Sequence, residues 1–109
     1  MNSAPKIKNI SANEHFEIEI YYTNNVHGKF KFTHYYDFIN LYHFLEEIKN
    51  FTKIKLSSDE SFAYWTNESG VDVELDPEIL YSIISREKIY YKDQVVFDPN
   101  LGKNAWMKN

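Results

Sequence analysis

Two alternating runs near the start of the chain predict a β-hairpin. Polar and apolar residues alternate over Phe16–Tyr22 and again over Val26–Phe32, which is the period of a half-buried strand. When Glu19 is set opposite Lys29, apolar residues oppose apolar residues on one face and opposite charges meet on the other. Because a shift of one residue would spoil both faces, the side chains favour this register.

A helix is predicted after the hairpin. Asp37 can cap it, and the apolar residues that follow have helical spacing. These apolar residues are Phe38, Leu41, Tyr42, Phe44, Leu45 and Ile48. Polar residues cover the opposite side, so the pattern predicts an amphipathic helix that lies on a sheet.

Three short runs then predict an antiparallel meander. Residues 53–56, 62–66 and 71–75 alternate and are separated by turn-forming residues. The residues assigned to the interior are Ile54, Leu56, Phe62, Tyr64, Val73 and Leu75. That assignment places Trp65 on the outer face of the sheet.

A second helix is predicted to begin at residues 76–78, because Asp-Pro-Glu combines a capping carboxylate with proline at the first helical position. Residues 94–97 form a candidate extra strand. The order predicts one α+β domain over residues 1–88, made of a β-hairpin, a helix, a three-stranded meander and a C-terminal helix (ββαβββα). Residues 89–109 are expected to form a short C-terminal extension, with an added strand and a tail over residues 102–109 that is loose unless Trp106 docks.

Composition narrows the class of function. The 109 residues include no cysteine, which excludes a disulfide framework and a thiolate metal site. The sequence has no apolar run of about 18 residues and no apolar signal core near its start, so we expect a cytoplasmic protein without a membrane contact. The formal net charge of −4 argues against direct binding of nucleic acid.

The sequence gives little sign of catalysis. Its four histidines, His15, His27, His34 and His43, lie at positions predicted to be solvated. It has no candidate nucleophile and no glycine-rich phosphate loop. We therefore expect no catalytic residue, no cofactor and no metal ligand. Asp72 and Glu74, two residues apart on a predicted strand, keep a minimal metal-dependent hydrolase open as an alternative.

An acidic segment is the better indication of function. Seven acids and no lysine or arginine lie between Asp59 and Glu78. Acidic side chains beside an exposed tryptophan would attract and anchor a basic protein partner. The residues predicted to bind the partner are Trp65, Glu68, Asp72, Glu74 and Trp106. Two other interpretations stay open: a solvated acidic face with Trp65 covered by the C-terminal segment, and a homodimer.

A resemblance to a known family begins at residues 74–81, which read ELDPEILY. This string resembles the end of a small bacterial family of domains of unknown function, whose members finish with a tryptophan, a glycine-containing turn and an acid–apolar–x–Pro–acid–x–Leu–Tyr string. The resemblance covers about residues 5–85. Here Trp65 and Gly70 are further apart than in the family, and the segment after Lys88 is an addition.

The resemblance implies a compact α+β domain with no known catalysis. Relatives are free-standing or fused to a helix-turn-helix, and some are encoded beside small toxin-like partners, which implies an antitoxin, immunity or regulatory role. This sequence has no helix-turn-helix, so DNA binding is not carried over. An alternative in the same binding class is a phage-type acidic inhibitor that mimics nucleic acid and blocks a defence nuclease.

Overall fold

The computed structural model describes residues 4–107 and has an α+β fold of antiparallel strands and short helices. The strands of the first sheet are β1 (Ile7–Ala12), β2 (Glu17–Tyr22) and β3 (His27–Lys31), in the order β1-β2-β3. Glu19 lies opposite Lys29. The predicted hairpin and its register are therefore confirmed.

Strand β1 was not predicted. It pairs with β2 along the edge of the hairpin, and its backbone is tied to the rest of the chain where the Ile7 N–H donates to the Glu60 carbonyl oxygen at 2.8 Å. Only Ile7 is fully buried within the strand. A strand with so few buried positions leaves almost no alternation in the sequence.

The structure replaces the single helix predicted over residues 38–48. Instead, 3₁₀ turns cover Asn40–Glu46 and a one-turn helix, α1, covers Ile48–Phe51. Asn40 has a left-handed φ of 53°, and Glu47 is extended with a ψ of 121°. These two residues interrupt the helical path at both ends of the 3₁₀ turns, so the apolar residues do not share one helix face.

The interrupted path leaves two large apolar side chains on the surface. Ile39 is 58% exposed and Leu41 is 64% exposed, whereas Leu45 is fully buried. Asp37 does not cap a helix, because its carboxylate forms an ion pair with Lys103. The predicted helix therefore becomes a loop with an outward apolar side.

The predicted meander is present as a second antiparallel sheet. Its strands are β4 (Lys55–Leu56), β5 (Ala63–Thr66) and β6 (Asp72–Glu74), in the order β4-β5-β6. Trp65 lies opposite Val73, whereas Tyr64 lies opposite Glu74. The two faces of β5 are thus exchanged relative to the prediction.

The expectation that Trp65 faces outward is wrong. Its side chain is 1% exposed, and the indole N–H donates to the Phe51 carbonyl oxygen at 2.9 Å. Residues 62–65 are all aromatic or apolar, so alternation does not choose a face. Pairing with the buried Val73 chooses it, and a shift of one residue exchanges every side chain in a strand.

The helix α2 (Pro77–Ser85) begins as predicted. The Asp76 carboxylate accepts the backbone N–H groups of Glu78 at 2.8 Å and Ile79 at 3.1 Å. The helix ends at Arg86, which has a left-handed φ of 68°. Within residues 4–107, no helix has both the length and the apolar character needed to cross a bilayer.

The C-terminal segment packs on the rest of the core. It contains the hairpin β7 (Ile89–Tyr91) and β8 (Gln94–Phe97), followed by 3₁₀ turns over Pro99–Asn104. Phe97 and Ala105 are buried in the same core cluster as Trp65. The candidate strand at residues 94–97 is therefore present, and the chain after it returns to β8 through a bridge between Phe97 and Trp106.

Candidate functional site

The predicted acidic sheet face is exposed but lacks its tryptophan. Glu68, Asp72 and Glu74 are exposed, while Trp65 is part of the core. Asp72 accepts a hydrogen bond from the Thr66 hydroxyl at 2.8 Å. The exposed face thus keeps its acids and loses the large apolar side chain that would anchor a partner.

A basic residue also lies on that face. Lys55 is 3.4 Å from the Thr66 hydroxyl, and its ammonium lies over the ring of Tyr64 at 5.8 Å from the centroid. Tyr64 is flanked by Lys55 on one neighbouring strand and by Glu74 on the other. The outer face of the second sheet is therefore mixed in charge.

Trp106, the other tryptophan that was predicted to bind the partner, is on the surface. Its side chain is 40% exposed, and its ring lies 5.4 Å from the Tyr36 ring and 5.0 Å from the Phe97 ring. The backbone on both sides is fixed, because the Met107 N–H donates to the Val96 carbonyl at 3.0 Å and the preceding Ala105 is buried. The indole is thus held on an anchored segment.

An acidic groove lies on one side of this indole. Its volume is about 490 Å³, and its lining combines the carboxylates of Asp76 and Glu78 with aromatic and aliphatic side chains, which are Tyr36, Tyr42, Ile79, Ile89, Val96, Phe97 and Trp106. No lysine, arginine or histidine of residues 4–107 lines it. The carboxylates of Asp76 and Glu78 therefore set the charge of the acidic groove.

A second, more apolar groove borders the same indole. Its volume is about 380 Å³, and it shares Trp106, Tyr36 and Tyr42 with the acidic groove while adding Ile39 and Leu41. Asp37 also lines this groove, but its charge is paired with Lys103. We call the two grooves and the three aromatic rings between them the Trp106 site.

The charges in the acidic groove act on its tyrosines. Burial raises the pKa of Tyr36, and the neighbouring Tyr42 and Asp76 raise it further. Burial and the same carboxylate raise the pKa of Tyr42. Both phenols therefore keep their protons to a higher pH than an ordinary tyrosine.

The hydrolase alternative has no assembled site in the described residues. It requires Asp72, Glu74 and a histidine to lie together, and residues 4–107 contain no group of three or more side chains able to hold a metal ion. All four histidines are exposed. His27 stacks on Tyr21 with 4.9 Å between ring centroids.

Sequence reasoning found one member of the Trp106 site and missed the others. The missed residues include Tyr36, Ile39, Leu41, Tyr42, Asp76 and Glu78. Ile39 is an apolar residue within residues 38–48 that does not belong to the predicted apolar helix face, which was a usable signal, and the two acids were assigned only to the start of α2. None of Glu68, Asp72 and Glu74 lines either groove.

Comparison of the chain with protein-family models, with curated proteins and with solved structures gives no match. The resemblance of residues 74–81 to a bacterial family therefore stays a prediction. The geometry of the Trp106 site carries the functional argument.

Proposed function

We propose that the chain is a cytoplasmic, non-catalytic protein-binding module of the antitoxin, immunity or regulatory kind, which engages a basic partner through the Trp106 site. The observation that carries this proposal is the 40% exposed indole of Trp106 at the boundary between an acidic and an apolar groove. Tryptophan in a pocket is the residue most enriched among those that dominate binding energy at protein interfaces.

The apolar side chains around the indole support a docking role. Ile39 and Leu41 are more than half exposed and line the groove next to Trp106. Scattered apolar residues on a surface are ordinary, whereas a contiguous apolar patch with a polar rim is typical of an interaction site.

The anchored backbone supports it as well. The segment that carries Trp106 is hydrogen-bonded to β8, so its conformation is set before a partner arrives. Preorganisation lowers the entropy that binding must overcome.

Charge indicates the chemistry of the partner. The chain has a net charge of −4, and the acidic groove is lined by carboxylates without a lysine or arginine of the described residues. A basic partner would be steered to this surface and oriented on it. In this proposal Glu68, Asp72 and Glu74 contribute long-range attraction, while Trp106 supplies the anchor.

A capture experiment with matched variants tests the proposal. Wild type, Trp106→Ala and the double variant Asp72→Asn/Glu74→Gln are used to capture partners from the native cell, and the affinity of each captured protein is then measured. We expect a partner that Trp106→Ala binds at least about 30-fold more weakly. The double variant should retain most of the affinity.

Equal binding of that partner to wild type and Trp106→Ala, with both proteins folded by circular dichroism, would contradict the proposal. Competition separates it from the nucleic-acid mimic. DNA or RNA should displace a mimic from its target, whereas we expect no displacement here.

A further inference from the structure

We infer that the acidic groove is a receptor for a single basic side chain, lysine or arginine, of the protein partner. This inference rests on the proposed function and names the central contact of the same site.

The aromatic wall of the groove suits a cation. The rings of Tyr36 and Trp106 meet at 70°, and those of Tyr36 and Tyr42 meet at 72°, with 5.4 Å between centroids in each pair. One face of Tyr36 is also covered, because Phe32 stacks on it at 4.8 Å. Ammonium and guanidinium groups are attracted to the faces of aromatic rings, most strongly to tryptophan, and the 40% exposed indole of Trp106 is the ring of this wall that a cation can reach.

The charged wall selects the sign of the ligand. Asp76 and Glu78 line the groove, and the Asp76 carboxylate already accepts the first N–H groups of α2. The capped helix end thus borders the groove with two acidic residues, of which Glu78 also lines the neighbouring groove near α2, rather than with free N–H groups that would favour an anion. The phenol oxygens of Tyr36 and Tyr42 can accept further hydrogen bonds from a cation.

The surroundings of the groove favour a side chain presented by a peptide. The acidic groove shares its aromatic rings with the apolar groove, so an apolar neighbour of the basic residue has a surface to cover. A larger groove of about 600 Å³ near α2 is lined by both Glu87 and Lys88. Its mixed charge does not select a cation.

Titration with small probes tests the inference on the full chain. The probes are N-acetyl-arginine methylamide, N-acetyl-lysine methylamide and the neutral isostere N-acetyl-citrulline methylamide, followed by NMR of ¹⁵N-labelled protein at constant ionic strength. We expect a saturable shift of the Trp106 indole N–H with at least one cationic probe. Citrulline should bind about tenfold more weakly, and the buried indole of Trp65 should not move.

Two double variants that remove the same charge show whether the acidic groove itself binds the cationic probe. Asp76→Asn/Glu78→Gln removes two charges from the groove, and asparagine still caps a helix. Glu14→Gln/Glu60→Gln, at two exposed acids that line neither groove, removes the same charge elsewhere on the surface. We expect the groove variant to lose about tenfold in affinity for the cationic probe, and this control variant to change by less than about twofold.

Three results would overturn the inference: no saturable shift with either cation, equal binding of citrulline, or equal losses in the two double variants. If charge selectivity fails while the captured partner still requires Trp106, the inference falls and the proposed function stands. Lys108 lies outside the described residues, so the titration is repeated with Lys108→Gln. Unchanged or tighter selective binding there supports the site, and loss of binding contradicts it.

Discussion

The two tryptophans of this chain occupy opposite environments. Trp65 is 1% exposed, its indole N–H is bonded to the Phe51 carbonyl, and its ring packs edge-on against Phe32 at 5.8 Å. Trp106 is 40% exposed at the edge of two grooves. The same side chain type therefore supports the fold at position 65 and is exposed beside two grooves at position 106.

The two regions are joined by a row of aromatic rings. Phe32 touches Trp65 and also stacks on Tyr36 at 4.8 Å, and Tyr36 in turn meets Trp106 at 5.4 Å. The wall of the Trp106 site is thus an extension of the core. This continuity explains how a small chain can hold an exposed indole in a fixed place.

Truncation should separate the two roles most clearly. Trp65→Ala removes a buried ring and its hydrogen bond and is expected to cost about 3–5 kcal/mol of unfolding free energy. Trp106→Ala removes ring contacts with Tyr36 and Phe97 from a side chain that is 40% exposed, and should cost about 1–2 kcal/mol. Urea denaturation of both variants measures the difference. Equal losses of unfolding free energy in the two variants would contradict the assignment of Trp65 to the core and of Trp106 to the surface.

A glycine substitution tests how the segment that carries Trp106 is anchored. Its expected cost in unfolding free energy is smaller than that of Trp65→Ala. Gly102 has a φ of 55°, and an added Cβ would lie 3.2 Å from the His34 carbonyl oxygen. Gly102→Ala is therefore expected to cost about 2–3 kcal/mol. Gly70, with a φ of 80° and open space around its Cβ position, is the matched control, and Gly70→Ala should cost about 1 kcal/mol.

The measurement is thermal unfolding of both glycine variants, with the combined fluorescence of Trp65 and Trp106 as a second probe. Gly102→Ala should also move this emission to longer wavelength, because the segment that carries Trp106 loosens. If the two alanines cost the same, close packing against His34 does not hold the C-terminal segment.

The smallest expected effect is the loss of folding stability at alkaline pH that the Tyr36 phenol causes. Burial raises the pKa of this phenol, so the folded state keeps its proton while the unfolded chain begins to lose it near pH 10. The stabilisation is complete below pH 10 and decreases as pH rises above it. Between pH 9 and 11, the unfolding free energy of Tyr36→Phe should therefore decrease by about 1 kcal/mol less than that of wild type.

Urea midpoints at pH 9 and 11 for wild type and Tyr36→Phe provide the measurement. Tyr90→Phe, which changes a tyrosine that is 55% exposed, is the control and should keep the wild-type dependence on pH. The same dependence in all three proteins would show that Tyr36 is no more buried than an ordinary surface tyrosine.

The sequence predicted the elements whose patterns carry two independent signals. In the β2–β3 hairpin, pairing of Glu19 with Lys29 agrees with the apolar pairing on the other face. At the start of α2, proline and the capping carboxylate of Asp76 are local features that need no distant contact. These predictions are confirmed because neither depends on the rest of the fold.

The candidate site depends on distant contacts, which the sequence does not display. Residues 62–65 are all aromatic or apolar, so the face of Trp65 was decided by Val73 across the sheet. The turn at Asn40 exposes Ile39 and Leu41 in spite of their helical spacing. Tyr36 and Asp76 reach Trp106 only after the C-terminal segment has folded back.

Hydrogen exchange of the two indole N–H groups tests the central claim most directly, because it uses the unmodified chain. ¹⁵N-labelled protein is transferred to D₂O, and both indole resonances are followed by NMR after assignment with Trp106→Phe. The account predicts that the Trp65 signal persists, since its N–H is buried and bonded to Phe51, while the Trp106 signal disappears in the first spectrum. A protected Trp106 signal, or a Trp65 signal lost equally fast, would contradict it.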